Sequence, residues 1–136
     1  MNQKDKIITS GKRKSAIARA VITEGNGKIK INKRDYKTLH LFDKLKIEEP
    51  LRIAENILGK INFDAAITVH GGGENGQIES ARLALAKAIV EFSKSKELRR
   101  AYIDYDRTLL IADVRRKETY KPGDSKARRK RQKSYR

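Results

Sequence analysis

The chain reads as an α/β protein: a two-layer sandwich in which a mainly antiparallel sheet of three or four strands packs against about three helices, followed by an extended basic C-terminal tail. Three observations predict it. Some segments place apolar residues at every second position, others place them every three to four, and the C-terminal stretch carries charge with almost no apolar surface. A length of 136 residues suits one core. The expected division is a globular domain over residues 1–114 and a tail over residues 115–136.

The first strand is marked by Ala16, Ala18, Ala20 and Ile22 alternating with Ile17, Arg19 and Val21, and Ile29 and Ile31 share a face soon after. Between them lies Glu24-Gly25-Asn26-Gly27, and Asn-Gly suits the left-handed backbone of a tight turn, so these two segments are expected to pair as a β-hairpin. Next comes a short amphipathic helix, with Glu48 and Glu49 early, Pro50 suited to a first turn and Gly59 as its stop. Leu51, Ala54, Ile57 and Leu58 form its apolar face. Phe63, Ala65, Ile67 and Val69 then alternate with Asp64, Ala66, Thr68 and His70, the period of a half-buried strand.

Ile78, Ala81, Leu85, Ala88, Ile89 and Phe92 follow helical spacing, with Lys87 and Glu91 paired four apart on the outside. Leu98 and Tyr102 suggest a further short helix. Leu109-Leu110-Ile111-Ala112 fits a final strand or a buried extended segment.

The formal net charge is +16, and more than half of it sits in residues 115–136, where 11 Lys or Arg face 2 acidic residues. Such an excess favours a polyanionic partner, with nucleic acid foremost. The tail cannot bury enough surface to offset its ordering entropy, so its shape is expected to come from that partner. No stretch approaches the roughly 20 apolar residues of a spanning helix, and residues 1–14 lack the apolar core of a signal peptide. No membrane partner and a cytoplasmic location are expected. Cysteine is absent, which excludes disulfides and thiolate zinc sites, and His40 and His70 stand thirty residues apart with no partner spacing. No metal, cofactor or catalytic residue is assigned.

Gly71-Gly72-Gly73-Glu74-Asn75-Gly76 satisfies G-x-G-x-x-G between a strand and a helix, the pattern that brings backbone amides to a pyrophosphate. A dinucleotide fold also needs a second parallel strand ending in an acid, but the region about 20 residues on is polar and helical in tendency. No Gly-Lys-Ser or Gly-Lys-Thr completes a P-loop either. The glycines are read as a tight strand-to-helix turn lying against RNA phosphate, with Gly73 and Gly76 expected to require permissive backbone angles or close RNA approach. Lys12, Arg13 and Lys14 form a dense basic cluster, continued by Arg19, and are expected to contact phosphate. In the tail, Arg128, Arg129, Lys130, Arg131, Lys133 and Arg136 are interleaved with Ser134 and Tyr135, a set that offers both phosphate forks and stacking faces.

These residues resemble a known family. Gly71-Gly72-Gly73 through Gly76-Gln77, then Ser80, Ala84, Ala86, Lys87, Ala88 and Ile89, is similar to the signature of the small-subunit ribosomal protein nine family. So are residues 11–20, GKRKSAIARA, and the end of the chain, Ala127-Arg128-Arg129 through Gln132-Lys133-Ser134-Tyr135-Arg136. The last five residues resemble the archaeal and eukaryotic branch, with Tyr135 in place of the lysine common in bacteria.

The resemblance implies a structural protein of the small-subunit head, not an enzyme. It would bind small-subunit ribosomal RNA, abut neighbouring head proteins and reach peptidyl-site tRNA with its tail. The ribosomal RNA contacts expected are Lys12, Arg13, Lys14, Arg19, Gly72, Gly73, Gln77, Arg115, Arg116, Lys126, Arg128, Arg129, Lys130 and Arg131. The tRNA contacts expected are Lys133, Ser134, Tyr135 and Arg136. An obligate homo-oligomer is not expected. The competing readings are a nonribosomal RNA chaperone and a small nucleotide-dependent enzyme.

Overall fold

The computed structural model describes residues 5–122, so Lys126, residues 128–131 and residues 133–136 lie outside the described residues. Five strands form one mixed sheet: β1 (Ile7–Arg13), β2 (Ala16–Glu24), β3 (Ile29–Ile31), β4 (Arg34–Asp35) and β5 (Phe63–His70). Three helices cover one face: α1 (Leu41–Leu58), α2 (Glu74–Ser93) and α3 (Lys96–Tyr105). The strand order is β1-β2-β5-β3-β4, and every neighbouring pair is antiparallel except β5 with β3. The two-layer α/β architecture agrees with the sequence reading, with five strands in place of three or four.

The expected hairpin between residues 16–23 and 28–32 does not form. Strand β5 lies between them, pairing antiparallel with β2 and parallel with β3. Residues 25–28 cross the start of β5 instead of turning tightly. Gly25 and Gly27 donate their amides to the carbonyls of Asn62 and Phe63 at 3.1 and 3.0 Å, and the Asp64 carboxylate accepts from the Asn26 and Lys28 amides. Hydrogen bonds from the Lys28 and Asn26 amides hold the Asp64 carboxyl below its ordinary pKa, against the opposing effect of burial. The true partner of β2 is β1, joined to it by a two-residue turn at Lys14 and Ser15, with Lys14 in the left-handed region at φ 53°.

The core is built from the alternation seen in the sequence. Ala16, Ala18, Ala20 and Ile22 of β2, and Phe63, Ala65, Ile67 and Val69 of β5, are all buried beneath the helices. Strand β1 presents Thr9 and Gly11 to α2. The Thr9 hydroxyl donates to the Ala84 carbonyl at 2.8 Å, and a side chain at Gly11 would run into the Ser80 carbonyl. Small residues on both sides let α2 lie close against the sheet.

Helix α1 starts seven residues before the expected boundary and runs through Pro50, which is therefore an interior residue and not a first-turn one. An interior proline gives up one backbone hydrogen bond. Here Pro50 is buried beside Leu51, and its carbonyl accepts a 2.7 Å hydrogen bond from the Tyr102 hydroxyl of α3. Leu58, assigned to the apolar face, is 37% exposed at the helix end. Residues 109–112 form neither a strand nor an extended segment: a 3-10 turn spans Arg107–Leu109, Leu109 plugs the core and Leu110 packs half-buried against it.

Candidate nucleic-acid interface

Two turns meet at one end of the sheet. Gly71 and Gly72 leave β5 with φ of 76° and 64°, conformations that L side chains rarely adopt. They lie directly against the β1–β2 turn: a methyl group on Gly71 would stand 2.7 Å from the Ser15 carbonyl oxygen, and one on Gly72 2.9 Å from the Ala16 nitrogen. The Gln77 side-chain amide donates back to the Gly71 carbonyl at 3.1 Å and closes the turn. The permissive glycines are thus Gly71 and Gly72. Gly73 has an ordinary φ of −97° with open space around its Cα, and Gly76 makes only ordinary contacts inside α2, so the folding requirement expected at those two positions is absent.

The C-terminal strap, residues 110–117, comes back to the same place. Arg13 organises it. Its Nε donates to Glu79 of α2 at 2.7 Å, and its Nη1 lies 2.9 Å from Asp113, an ion pair without the alignment of a hydrogen bond. Asp113 in turn accepts from the Arg115 side chain at 2.8 and 2.9 Å and from the Arg115 amide at 2.9 Å. Hydrogen bonds from Arg115, with the nearby Arg13 charge adding to them, hold the Asp113 carboxyl well below the usual carboxylate range.

Between the β1–β2 turn and this strap lies an open cavity of about 770 Å³, lined by Lys12, Arg13, Lys14, Ser15, Arg115, Arg116 and Lys117. Five of the residues singled out in the sequence therefore converge, and every ionisable residue of the lining is basic. Arg13 differs from the others in role, because its guanidinium is mostly buried and engaged by two carboxylates. It positions the strap and does not offer a free fork. Lys117 belongs to the set and was passed over in the sequence, although it continues the Arg115-Arg116 run.

A second cavity of about 310 Å³ adjoins the first, and its character is different. There Arg82 pairs with Glu49 at 2.5 Å and with Asp106 at 3.3 Å, so the charges are internally matched. Burial alone would raise the Asp106 pKa, but hydrogen bonds from Thr108 and Arg82 outweigh it and hold the carboxyl low. This network ties α1, α2 and the 3-10 turn together.

Gly72 and Gly73 are exposed beside the basic cavity, while Gln77 is half-buried with its amide already engaged. Arg19 lies apart, exposed in the middle of the uncovered sheet face. His70 is exposed at the end of β5, and His40 precedes α1 without a side-chain cap hydrogen bond. Among the described residues, no group of three or more His, Cys, Asp or Glu is placed to hold a metal ion, and no helix is long and apolar enough to cross a membrane. The glycine turn opens α2, which leads into α3 and not into a second parallel strand, so the dinucleotide-binding topology is not the one built here.

The family described as "Ribosomal protein S9/S16" matches residues 11–136. "Small ribosomal subunit protein uS9" of Methanococcus vannielii is 49% identical over 133 residues, 96% of this chain and 98% of that protein. The protein of the same description from Methanococcus maripaludis strain C7 is 48% identical over the same shares. Matched nearly end to end by relatives at this identity, the chain belongs to the ribosomal protein S9/S16 family, whose members are structural proteins of the small ribosomal subunit and not enzymes.

Proposed function

We propose that the chain grips small-subunit ribosomal RNA with the cavity between the β1–β2 turn and residues 115–117, and reaches peptidyl-site tRNA with the end of its tail, in the cytoplasm. The observation that carries the first part is the lining: six basic residues and one serine, with no carboxylate among them. Folding has gathered these charges at one end of the sheet, where their mutual repulsion is relieved when phosphates enter. Lys12, Lys14, Arg116 and Lys117 supply the charge left unpaired among the described residues, Arg115 adds an exposed guanidinium already paired with Asp113, and Arg13 holds the strap in place through Glu79 and Asp113. Exposed Gly72 and Gly73 let a sugar-phosphate backbone come close to the start of α2, where the macrodipole also favours an anion.

The tRNA part rests on the resemblance and on the residue types at the end of the chain. Lys133 and Arg136 bring charge to the anticodon stem, Ser134 a hydroxyl, and Tyr135 a ring that can stack. Lys126, Arg128, Arg129, Lys130 and Arg131 precede them as further ribosomal RNA contacts. Neighbouring proteins of the small-subunit head complete the set of partners.

The test is the salt dependence of binding to small-subunit head RNA. Six to ten phosphate contacts lower the affinity about a thousandfold or more between 50 and 200 mM salt. Lys14→Ala and Arg116→Ala each reduce the log-log slope by about one. A salt-independent affinity, or slopes unchanged in both variants, refutes the cavity as the RNA site.

A further inference from the structure

Helix α1 turns Ile47, Pro50, Leu51 and Ala54 to the core. Its first turns also carry three large apolar side chains on the opposite side: Leu41 is 64%, Phe42 77% and Leu45 39% exposed. At roughly 100° per residue, Leu45 stands about 180° around the helix from the fully buried Ala54, so these residues are not the margin of the core. Leu41 and Leu45 are four positions apart, and Phe42 and Leu45 three, the spacings that bring side chains together on a helix surface. They form one apolar knob in water.

The charges around the knob are sorted by position. Lys44 lies three residues from Leu41 on one flank, and Lys46 four from Phe42 on the other. The next turn brings two carboxylates behind Leu45, and both are engaged: Glu48 by Lys44 at 3.8 Å and by Arg52 at 3.0 Å, Glu49 by Arg82. Asp43 sits in the first turn, where the helix dipole favours an acid, but half-buried and roughly 100° around from Phe42, on the core side. Exposed His40 precedes the knob and adds no acid. Lys46, which also lines the smaller cavity, has no ion-pair partner among the described residues. Two cations share Glu48 and Lys46 shares none, so the rim on the knob's face is left net positive.

We propose that Leu41, Phe42 and Leu45 anchor a protein contact, and that the occupant is a neighbouring small-subunit protein offering an apolar socket with a carboxylate on its border facing Lys46. The proposal rests on the reading that head proteins adjoin this chain, and adds to it the surface and the partner's chemistry. An apolar centre with an aromatic anchor inside a charged rim is the anatomy of such an interface. The rim charge decides among occupants. A second copy docked knob to knob would set one basic rim against another, and the chain's own tail, with 11 Lys or Arg against 2 acids over residues 115–136, would bring more of the same sign. RNA would answer the lysine, but sugar and phosphate leave the two leucines without apolar cover.

The experiment places a photo-cross-linking amino acid at Phe42 of the full chain in reconstituted small subunits, with incorporation of the chain confirmed. The expected product is an adduct with another protein, whose cross-linked segment carries apolar residues beside Asp or Glu. Cross-links to ribosomal RNA, to a second copy or to the chain's own tail, or none, overturn the proposal. In the same subunits Lys46→Glu is expected to lower the adduct yield several-fold, and a lysine replacing the partner's carboxylate to restore it; an unchanged yield rejects the carboxylate and the proposal with it. The variant Leu41→Gln/Phe42→Gln should melt within about 4 °C of the parent, since both side chains are exposed, and should bind RNA as the parent does. From purified subunits it should dissociate about fivefold faster or more. Unchanged dissociation, or weakened RNA binding by the isolated variant, rejects the protein occupant. Cross-linkers at exposed Ile8 and Ile103 separate the two readings: protein adducts there with none at Phe42 sink the knob alone, and none at all three positions sinks the head-protein neighbours as well.

Discussion

Replacing Gly72 with alanine tests how the candidate interface is held. Gly72 sits at φ 64°, where an L side chain costs roughly 1–3 kcal/mol of backbone strain. Its new Cβ would meet the Ala16 nitrogen and Cβ at 2.9 Å, and these belong to a buried residue at the start of β2, not to a flexible side-chain tip. Forcing the two turns apart adds about 1–3 kcal/mol of overpacking, for a total near 2–6 kcal/mol. At roughly 4 °C per kcal/mol for a body of this size, the melting temperature falls by about 8–24 °C. Gly73→Ala is the control: its φ is ordinary, no atom crowds it, and the change costs less than about 1 kcal/mol. Gly76→Ala, within the first turn of α2, is neutral or stabilising by about 0.5–1 kcal/mol. Thermal unfolding of the isolated protein followed by circular dichroism measures all three. Equal destabilisation by Gly72→Ala and Gly73→Ala would refute the assignment of the turn's strain to its first two glycines.

Tyr102→Phe removes the hydroxyl that donates to the Pro50 carbonyl and is expected to cost about 1 kcal/mol. Burial raises the Tyr102 pKa. Above about pH 10 the unfolded chain therefore loses a proton that the folded one keeps, stability drops as pH rises, and the drop is smaller in Tyr102→Phe; identical alkaline profiles would contradict this. Asp113→Asn should release the strap without melting the body, seen as faster amide exchange across residues 113–117. Because the Asp113 carboxyl is held well below its ordinary range, protection in the native protein persists as pH falls through about 4 and is lost only at lower pH. Unchanged exchange in Asp113→Asn removes Asp113 from that role. Deleting residues 133–136 should leave the melting temperature unchanged and speed tRNA dissociation from purified small subunits, with Arg136→Ala giving part of the effect. Unchanged dissociation in subunits confirmed to lack the segment leaves the tail with scaffolding alone.

Most of the layer structure was legible because large apolar residues carried the period. Strands β2 and β5 and helix α2 alternate or recur in step with their burial, and Leu98 and Tyr102 alone marked α3. Strand β1 was invisible for the opposite reason: beyond Ile7 at its start, its core-facing positions are Thr9 and Gly11, which pack by closeness and one hydrogen bond and not by hydrophobic bulk. The Asn26-Gly27 signal was local, whereas the pairing it suggested was overruled by β5, about forty residues on, and by Asp64, which holds the loop open. Of the candidate site, the basic residues were readable as charge. That Arg13 is engaged by Glu79 and Asp113 was not, because ion-pair partners 66 and 100 residues away leave no mark in the local pattern.

The place of β5 in the sheet also sets an order of events during synthesis. A chain emerging N-terminus first exposes β2 and β3 with an Asn-Gly loop between them, a ready-made local hairpin in which they pair with each other. The native sheet puts β5 in that gap, so a nascent β2–β3 pairing is a detour that has to open before the centre of the sheet can close. At about 5–20 residues per second, roughly 2–8 s separate completion of β3 from completion of β5. Throughout that interval, the strand edges that will hold β5 are unfilled and open to pairing with other chains.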